Sequence, residues 1–228
     1  MIDWVVLVPI KRFADAKTRL HPRADRAAIA EAVARDTLDA VAGVRRVRMI
    51  LVMTDDPALV DDLALPVAVT VRVQRVPGLN NAIADGLRYA QESWPEYGQA
   101  VLLGDLPALT SEALEDTLAA AEELPLGVVP DASGSGTVMI TAQPGVPLIP
   151  AFGVGSARRH RELGHRLLRG PDVLRRDVDT PDDLQAAIRL GVGRHTSALL
   201  GLTAGPHTAP GAARPQSAGL QRARLAGG

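Results

Sequence analysis

Val5-Val6-Leu7-Val8-Pro9-Ile10, an unbroken apolar run closed by Lys11-Arg12-Phe13, decides the fold of this chain. A run of strand length with no polar face has nothing to offer solvent on either side. It reads as a strand buried on both faces, the pattern of an inner strand in a parallel sheet. Working outward, Ile29, Val33 and Val41 recur at helical spacing in a segment that ends near Gly43. Val47 to Met53 and Val67 to Val73 read as strands, with a short helix from Pro57 between them. Asn80 to Ser93 follows a helical pattern, Ala100 to Leu103 is a short buried strand, and Ser111 to Glu123 is an alanine-rich helix. Strands alternating with helices predict right-handed crossovers and an α/β fold with a mostly parallel sheet flanked by helices.

The second half is less regular. Leu126 to Val129 and Thr137 to Thr141 read as strands around the loop Pro130-Asp131-Ala132-Ser133-Gly134-Ser135-Gly136. A helical segment over Ser156 to Leu168 precedes a predicted strand ending in Asp177-Val178-Asp179. Thr180-Pro181-Asp182-Asp183 then has the marks of a helix start: Thr as cap, Pro at the first position and acids in the first turn. The expected organisation is one domain over residues 1–195 and a disordered Gly/Ala/Pro/Arg-rich tail over 196–228.

Composition narrows the function. The 228 residues carry a formal net charge of −1 with acids and bases interspersed, so no global basic field points to nucleic acid. The aromatic residues are too scattered for a base-stacking platform. Cysteine is absent, which excludes thiolate metal sites and cysteine nucleophiles. The N-terminus has no basic segment leading into a signal-like apolar stretch, and no run approaches the roughly 20 apolar residues of a membrane helix. A cytoplasmic protein without membrane partners is expected. His21, His160, His165, His195 and His207 form no metal-like spacing and no serine-hydrolase elbow accompanies them, so each reads as a surface residue.

Ligands of open parallel sheets bind beyond the carboxyl ends of the strands, which directs attention to four segments. Of 25 basic residues only Lys11 and Lys17 are lysine, and both lie with Arg19 in the loop after the first strand. Lysine is a compact point charge suited to phosphate, and the loop has neither a dinucleotide G-x-G-x-x-G nor a P-loop pattern. The second segment is Gly104-Asp105-Leu106-Pro107. The third is Asp177-x-Asp179, whose alternate side chains share a face in extended backbone. Two like charges about 4 Å apart repel by about 4 kcal/mol at an effective dielectric near 20, so the pair favours a cation. If Asp105 converges on them, the set is a hard oxygen site suited to Mg²⁺. A turn residue and an Asp-rich helix start are the plainer roles for the same carboxylates. The fourth segment, Gly134-Ser135-Gly136-Thr137 with Phe152-Gly153-Val154-Gly155-Ser156, offers backbone N–H groups to an anion, although glycine in a loop needs no ligand.

In order along the chain stand Val8-Pro9-Ile10-Lys11 with Ala16-Lys17-Thr18-Arg19-Leu20, Gly78-Leu79-Asn80-Asn81-Ala82 and Gly104-Asp105-Leu106-Pro107. Asp131 with Gly134-x-Gly136-Thr137, Phe152-Gly153-x-Gly155-Ser156, and Asp177-x-Asp179-Thr180-Pro181-x-Asp183-Leu184 follow. Together they resemble the guanylyltransferases of coenzyme F-420 (deazaflavin) biosynthesis, which act on phosphoenolpyruvate or 2-phospho-L-lactate, over roughly residues 1 to 190. That family is similar to nucleotidyltransferases of GT-A-like, Rossmann-like fold. The glycine-rich first loop of the molybdenum-cofactor branch is replaced here by Pro9-Ile10-Lys11-Arg12-Phe13.

The resemblance implies that Asp105, Asp177 and Asp179 hold Mg²⁺, and that Thr137, Gly153 and Ser156 bind the phosphorylated three-carbon acid. It implies that Lys17 and Arg19, with Lys11 nearby, meet the triphosphate of GTP, and that Gly78, Leu79 and Asn80 lie near the nucleoside. Lys17 and Asp105 are the expected catalytic residues. Phosphoenolpyruvate is the expected acceptor, with 2-phospho-L-lactate, 3-phosphoglycerate or a molybdopterin as alternatives and a non-catalytic nucleotide-binding protein as the rival of another class. Direct handover of product to the next enzyme of the pathway is a further expectation if the product is labile.

Overall fold

A computed structural model describes residues 1–11, 26–55, 67–73 and 78–202. The opening apolar run is strand β1 (Trp4–Ile10), and it lies inside the sheet. Its odd and even side chains serve different faces. Val6 and Val8 pack with Leu38 and Val41 of helix α1 (Arg26–Ala42) and with Leu114 and Leu118 of α3 (Ser111–Ala121). Val5 and Leu7 pack with Ile83, Leu87 and Ala90 of α2 (Leu79–Ser93) on the other face. Both layers of helices are therefore demanded by a strand with no polar side.

Strands β2 (Val47–Thr54) and β3 (Ala68–Val73) continue the sheet to one side of β1, and β4 (Gly98–Leu102) lies on the other. Val6 is in register with Ile50 of β2 and with Ala100 of β4, and all these pairings are parallel. Beyond β4 come β6 (Thr137–Ala142), β5 (Leu126–Pro130) and the two-residue edge strand β7 (Arg166–Leu167), in the order β3-β2-β1-β4-β6-β5-β7. Only β6 runs antiparallel to its neighbours. The chain builds outward through β1, β2 and β3, then returns to the far side of β1 to form β4. The switch point thus falls between β1 and β4, and in open α/β sheets ligands bind at the carboxyl ends of the strands at such a point.

The elements follow the sequence reading closely, with three departures. The helix expected over Ser156 to Leu168 is shorter: α4 (Ser156–Glu162) closes where the N–H of His165 donates to the carbonyl of His160 at 3.1 Å, and the chain then adds β7 to the sheet. No strand forms at Asp177-Val178-Asp179. The segment follows one residue after the short helix α5 (Asp172–Arg175) and meets the β4 end through a backbone bond, Val178 N–H to the Asp105 carbonyl at 3.1 Å. The boundary expected at residue 195 also moves. Helix α7 (Arg194–Leu199) packs on α1, with Thr196 and Ser197 buried and the N–H groups of His195 and Thr196 donating to the Asp36 carboxylate at 2.8 and 3.0 Å. The short helix expected from Pro57 and residues 203–228 of the expected tail lie outside the described residues.

Helix α6 (Pro181–Leu190) starts as its sequence requires. The Thr180 hydroxyl accepts from Asp183 N–H at 3.2 Å, and the Asp183 carboxylate accepts from Thr180 N–H at 2.9 Å, a reciprocal cap. Leu184 and Ala187 then join Val178 and the α1 residues Ile29 and Val33 in a separate apolar cluster. Among the described residues, no helix is long and apolar enough to cross a membrane.

Candidate active site

The carboxyl ends of β1 and β4 meet closely. A Cβ on Gly104 would stand 3.1 Å from Ile10 Cγ1 and 3.2 Å from the Pro9 carbonyl, so a larger residue at position 104 would require its neighbours to shift by a few tenths of an ångström. Asp105 follows immediately, and Lys11 follows β1 in an exposed position at the same end of the sheet. Lys17 and Arg19 lie outside the described residues.

Three expected carboxylates gather at this end of the sheet. The Val178–Asp105 backbone bond holds the D-x-D segment against the β4 end, with the Val178 side chain fully buried. Asp177 is partly buried and Asp179 exposed. Burial pushes the Asp177 carboxyl up to about 7, and the negative charges of Asp105 and then Asp179 add to the shift. A buried carboxyl raised further by acidic neighbours marks a place where a cation would be welcome. Among the described residues no three carboxylate or imidazole groups are close enough to enclose an ion by themselves. A hard cation that completes its shell with water and substrate oxygens fits this looser set, and Mg²⁺ has that habit. Asp131 also belongs to the electrostatic surroundings of Asp177. Its carboxylate turns back into its own loop, accepting from the Ser133 hydroxyl at 2.8 Å and from Ser135 N–H at 3.1 Å.

The second part of the site is built around the start of β6. Leu103 N–H donates to the Val138 carbonyl at 2.9 Å, so the antiparallel register sets Thr137 beside Gly104, next to the carboxylates. Thr137 is buried, and its hydroxyl lies 3.0 Å from Nδ1 of His160 on α4. The other ring nitrogen of His160, Nε2, accepts from Ala151 N–H at 3.0 Å, at the head of the loop that carries Gly153. Arg159 grips the same loop: Nε and Nη2 donate to the Ala151 carbonyl at 3.1 and 2.9 Å, and Nη1 donates to the Val154 carbonyl.

Gly153 has φ +119°, a backbone conformation that a side chain would strain. Its carbonyl accepts from Ser156 N–H at 3.0 Å, and Ala157 N–H donates to the Ser135 carbonyl at 3.1 Å. Two of the first N–H groups of α4 are thus engaged inside the protein, so the helix start is less open to an anion than its sequence suggests. Ser156 itself is buried, one helical turn before His160.

Thr137, Gly153 and Ser156, distant in sequence, are therefore one bonded unit. Asn80 ties a further expected residue to it: its amide accepts from Phe152 N–H at 2.8 Å and donates to the Phe152 carbonyl at 3.1 Å. Asn80, expected near the nucleoside, spends both amide atoms on this loop. Gly78 and Leu79 precede it, Gly78 preceding α2 and Leu79 opening it.

The histidines depart most from the sequence reading. His160 and His165 are buried rather than on the surface, with ring centroids 5.3 Å apart. Burial, together with the neighbouring His165 and Arg159, lowers the His160 imidazole to about 4, and burial lowers His165 as well. The signal available in the sequence was the spacing Ser156-x-x-x-His160, which sets both residues on one helical face.

Comparison with known proteins completes the description. The family described as "Guanylyl transferase CofC like" matches residues 4–203. A phosphoenolpyruvate guanylyltransferase of Thermomonospora curvata is 43% identical over 202 residues, covering 87% of this chain and 89% of its own. Another, of Geodermatophilus obscurus, is 44% identical over 225 residues, covering 93% and 96%. Among solved structures, a 4-diphosphocytidyl-2C-methyl-D-erythritol synthase of Anaerococcus prevotii shares the fold at a TM-score of 0.56 and 12% identity, covering 87% of this chain and 96% of its own.

Proposed function

The chain belongs to the family of CofC-like guanylyl transferases, and on that premise we propose that it transfers the GMP moiety of GTP to the phosphate of phosphoenolpyruvate, a step in the assembly of coenzyme F-420. The observation that carries this reading is the match over residues 4–203, joined to relatives 43% and 44% identical that act, by name, on phosphoenolpyruvate.

In the reaction, a phosphate oxygen of the acid attacks the α-phosphorus of GTP. The bond from that phosphorus to the oxygen bridging to the β-phosphate breaks, and pyrophosphate leaves. The product carries a diphosphate between the enolpyruvyl and guanosine groups. The nucleophile is already an anion at neutral pH, so no general base is needed. The barrier is the in-line approach of two anions, and positioning and charge neutralisation lower it.

The acid falls to Thr137, Gly153 and Ser156. Their union in one hydrogen-bonded frame beside the β4 end supports that role. Asp105, Asp177 and Asp179 are the residues that would hold Mg²⁺, and the ion when bound would neutralise triphosphate charge. Lys11, Lys17 and Arg19 are proposed to meet the triphosphate, Lys17 on the side of the leaving pyrophosphate, with Gly78 and Leu79 toward the nucleoside.

Incubating the purified protein with GTP, Mg²⁺ and each of phosphoenolpyruvate, 2-phospho-L-lactate and 3-phosphoglycerate, and identifying the product by mass, tests the reading. Guanylylated enolpyruvate with stoichiometric pyrophosphate is expected. Product with another acid alone would reassign the acceptor, and GTP binding without pyrophosphate release would make the chain a binding protein.

A further inference from the structure

Thr137 and His160 do more together than share a bond, because the surroundings of His160 fix which atom carries the proton. A backbone N–H can only donate, so His160 Nε2, which receives the Ala151 N–H at 3.0 Å, must present its lone pair. The single proton of the neutral ring then resides on Nδ1, 3.0 Å from the Thr137 hydroxyl oxygen. Thr137 Oγ1 is the acceptor in that bond. Its own hydrogen is left over, and among the described residues the structure gives it no acceptor.

The state of His165 favours the same arrangement. Its Nδ1 lies 2.9 Å from the His160 carbonyl, which can only accept, so His165 also carries its proton on Nδ1. Its Nε2 is buried with no partner. The ring behind the first is neutral too, and among the described residues no acid bonds to either imidazole to hold a second proton on His160 Nε2.

Resting on the assignment of Thr137 to the acid substrate, we propose that His160 is a positioning residue: its Nδ1–H locks Thr137 as a hydrogen-bond donor aimed at the acid. The two nitrogens of one ring thereby serve two sides of the pocket, Nε2 holding the loop of Gly153 through Ala151 and Nδ1 setting the direction of the Thr137 hydroxyl. A threonine free to rotate offers an anion a lone pair as readily as a proton. With one lone pair held from behind by Nδ1–H, fewer of its orientations face an anion with a lone pair, and part of the cost of turning the proton outward is met during folding.

The two roles separate by substitution, because the asparagine amide nitrogen overlies Nδ1 of histidine, whereas the glutamine amide overlies Nε2. His160→Asn keeps the donor to Thr137 and gives up the bond from Ala151. His160→Gln keeps an acceptor for Ala151 and gives up the donor. With the wild type first shown to guanylylate phosphoenolpyruvate, His160→Gln is expected to raise KM for the acid about tenfold, about the worth of one hydrogen bond. KM for GTP should be unmoved, and His160→Asn should stay within about threefold of wild type on the same scale.

Thr137→Val should raise the acid KM as His160→Gln does, and combining the two should add nothing. Multiplying effects, or equal damage from Asn and Gln, would overturn the proposal in favour of simple loop support. A wild type inactive on phosphoenolpyruvate would instead overturn the functional reading beneath it. If the His160 variants fail to fold, long-range ¹H–¹⁵N correlation of the wild-type imidazoles decides: a protonated Nδ1 with a bare Nε2 is expected, and the reverse assignment ends the proposal.

Discussion

The two halves of the site differ in how finished they are. Around Thr137, the loop of residues 151–155 is fastened by Arg159 and Asn80, each through two or more hydrogen bonds, and by His160 through one, the other nitrogen of that ring meeting Thr137. Around Asp105 the scaffold is equally fixed in its backbone, through the Val178 bond. Its side chains instead crowd like charges together until Asp177 is held near 7. One half is tied together by hydrogen bonds among the described residues, and the other gathers carboxylates whose chemistry suits positive charge. On the proposed roles, a transferase for two anions would gain from that division: the acid side would supply orientation, and the carboxylate side affinity for a cation arriving with the nucleotide.

The largest expected effect lies on the carboxylate side. Asp105→Asn and Asp179→Asn should each lower pyrophosphate release by about a hundredfold or more, equivalent to about 3 kcal/mol of transition-state stabilisation. Steady-state assay with Mg²⁺ titration checks this, and near-normal turnover in both variants would remove the carboxylates from the reaction.

On the acid side the largest effect is one of pH and stability. The His160 pKa is about 4 in the folded chain against 6.5 as its ordinary value. As pH falls the unfolded chain takes up its proton first. The stabilisation from a neutral His160 is therefore fully present above about pH 6.5 and lost progressively toward pH 4, up to about 3 kcal/mol, with His165 adding to the same slope. Urea unfolding at pH 7.5 and pH 5 should show the decline, and His160→Asn should flatten it. Equal slopes for the two proteins would mean that His160 is not the titrating group.

Smaller effects should distinguish loop from metal. Arg159→Ala removes the donors to the Ala151 and Val154 carbonyls and should raise KM for the acid several-fold, costing about 1–2 kcal/mol of stability. KM for GTP is expected to hold, and a shift in it would dissolve the boundary drawn between the halves. The smallest change expected is in metal-free Asp177→Asn. Relief of the carboxylate repulsion should raise its melting temperature by a few degrees, for about 0.5–1 kcal/mol, even as turnover falls. A lowered melting temperature would mean that Asp177 contributes structural bonds that outweigh the repulsion.

Much of this was legible in the chain because it rests on local pattern. Val5 to Ile10 has no polar face and had to be covered twice. Thr180-Pro181-Asp182-Asp183 could hardly be anything but a helix start, since its cap needs only residues within one turn. The carboxylates were legible as candidates because D-x-D and a strand-tip Asp declare their chemistry wherever they sit. The histidines were not. Nothing in Arg158-Arg159-His160-Arg161 marks an apolar environment, for the strongly charged neighbours point toward solvent while one position in the turn points inward. The bond between Asn80 and Phe152 was hidden for a related reason: a helix-start Asn has several roles open to it, and a partner 72 residues away leaves no local mark.

The sequence by itself determined the layers of the fold, the end of the sheet where ligands are received and the kinds of group gathered there, because periodicity and residue chemistry act over a few residues. The tertiary structure alone decided which residues stand behind others. The antiparallel return of β6 brings Thr137 beside the tip of β4, and α4 then turns His160 into the core behind it. Those relations depend on contacts between segments far apart in the chain, and no local pattern encodes them.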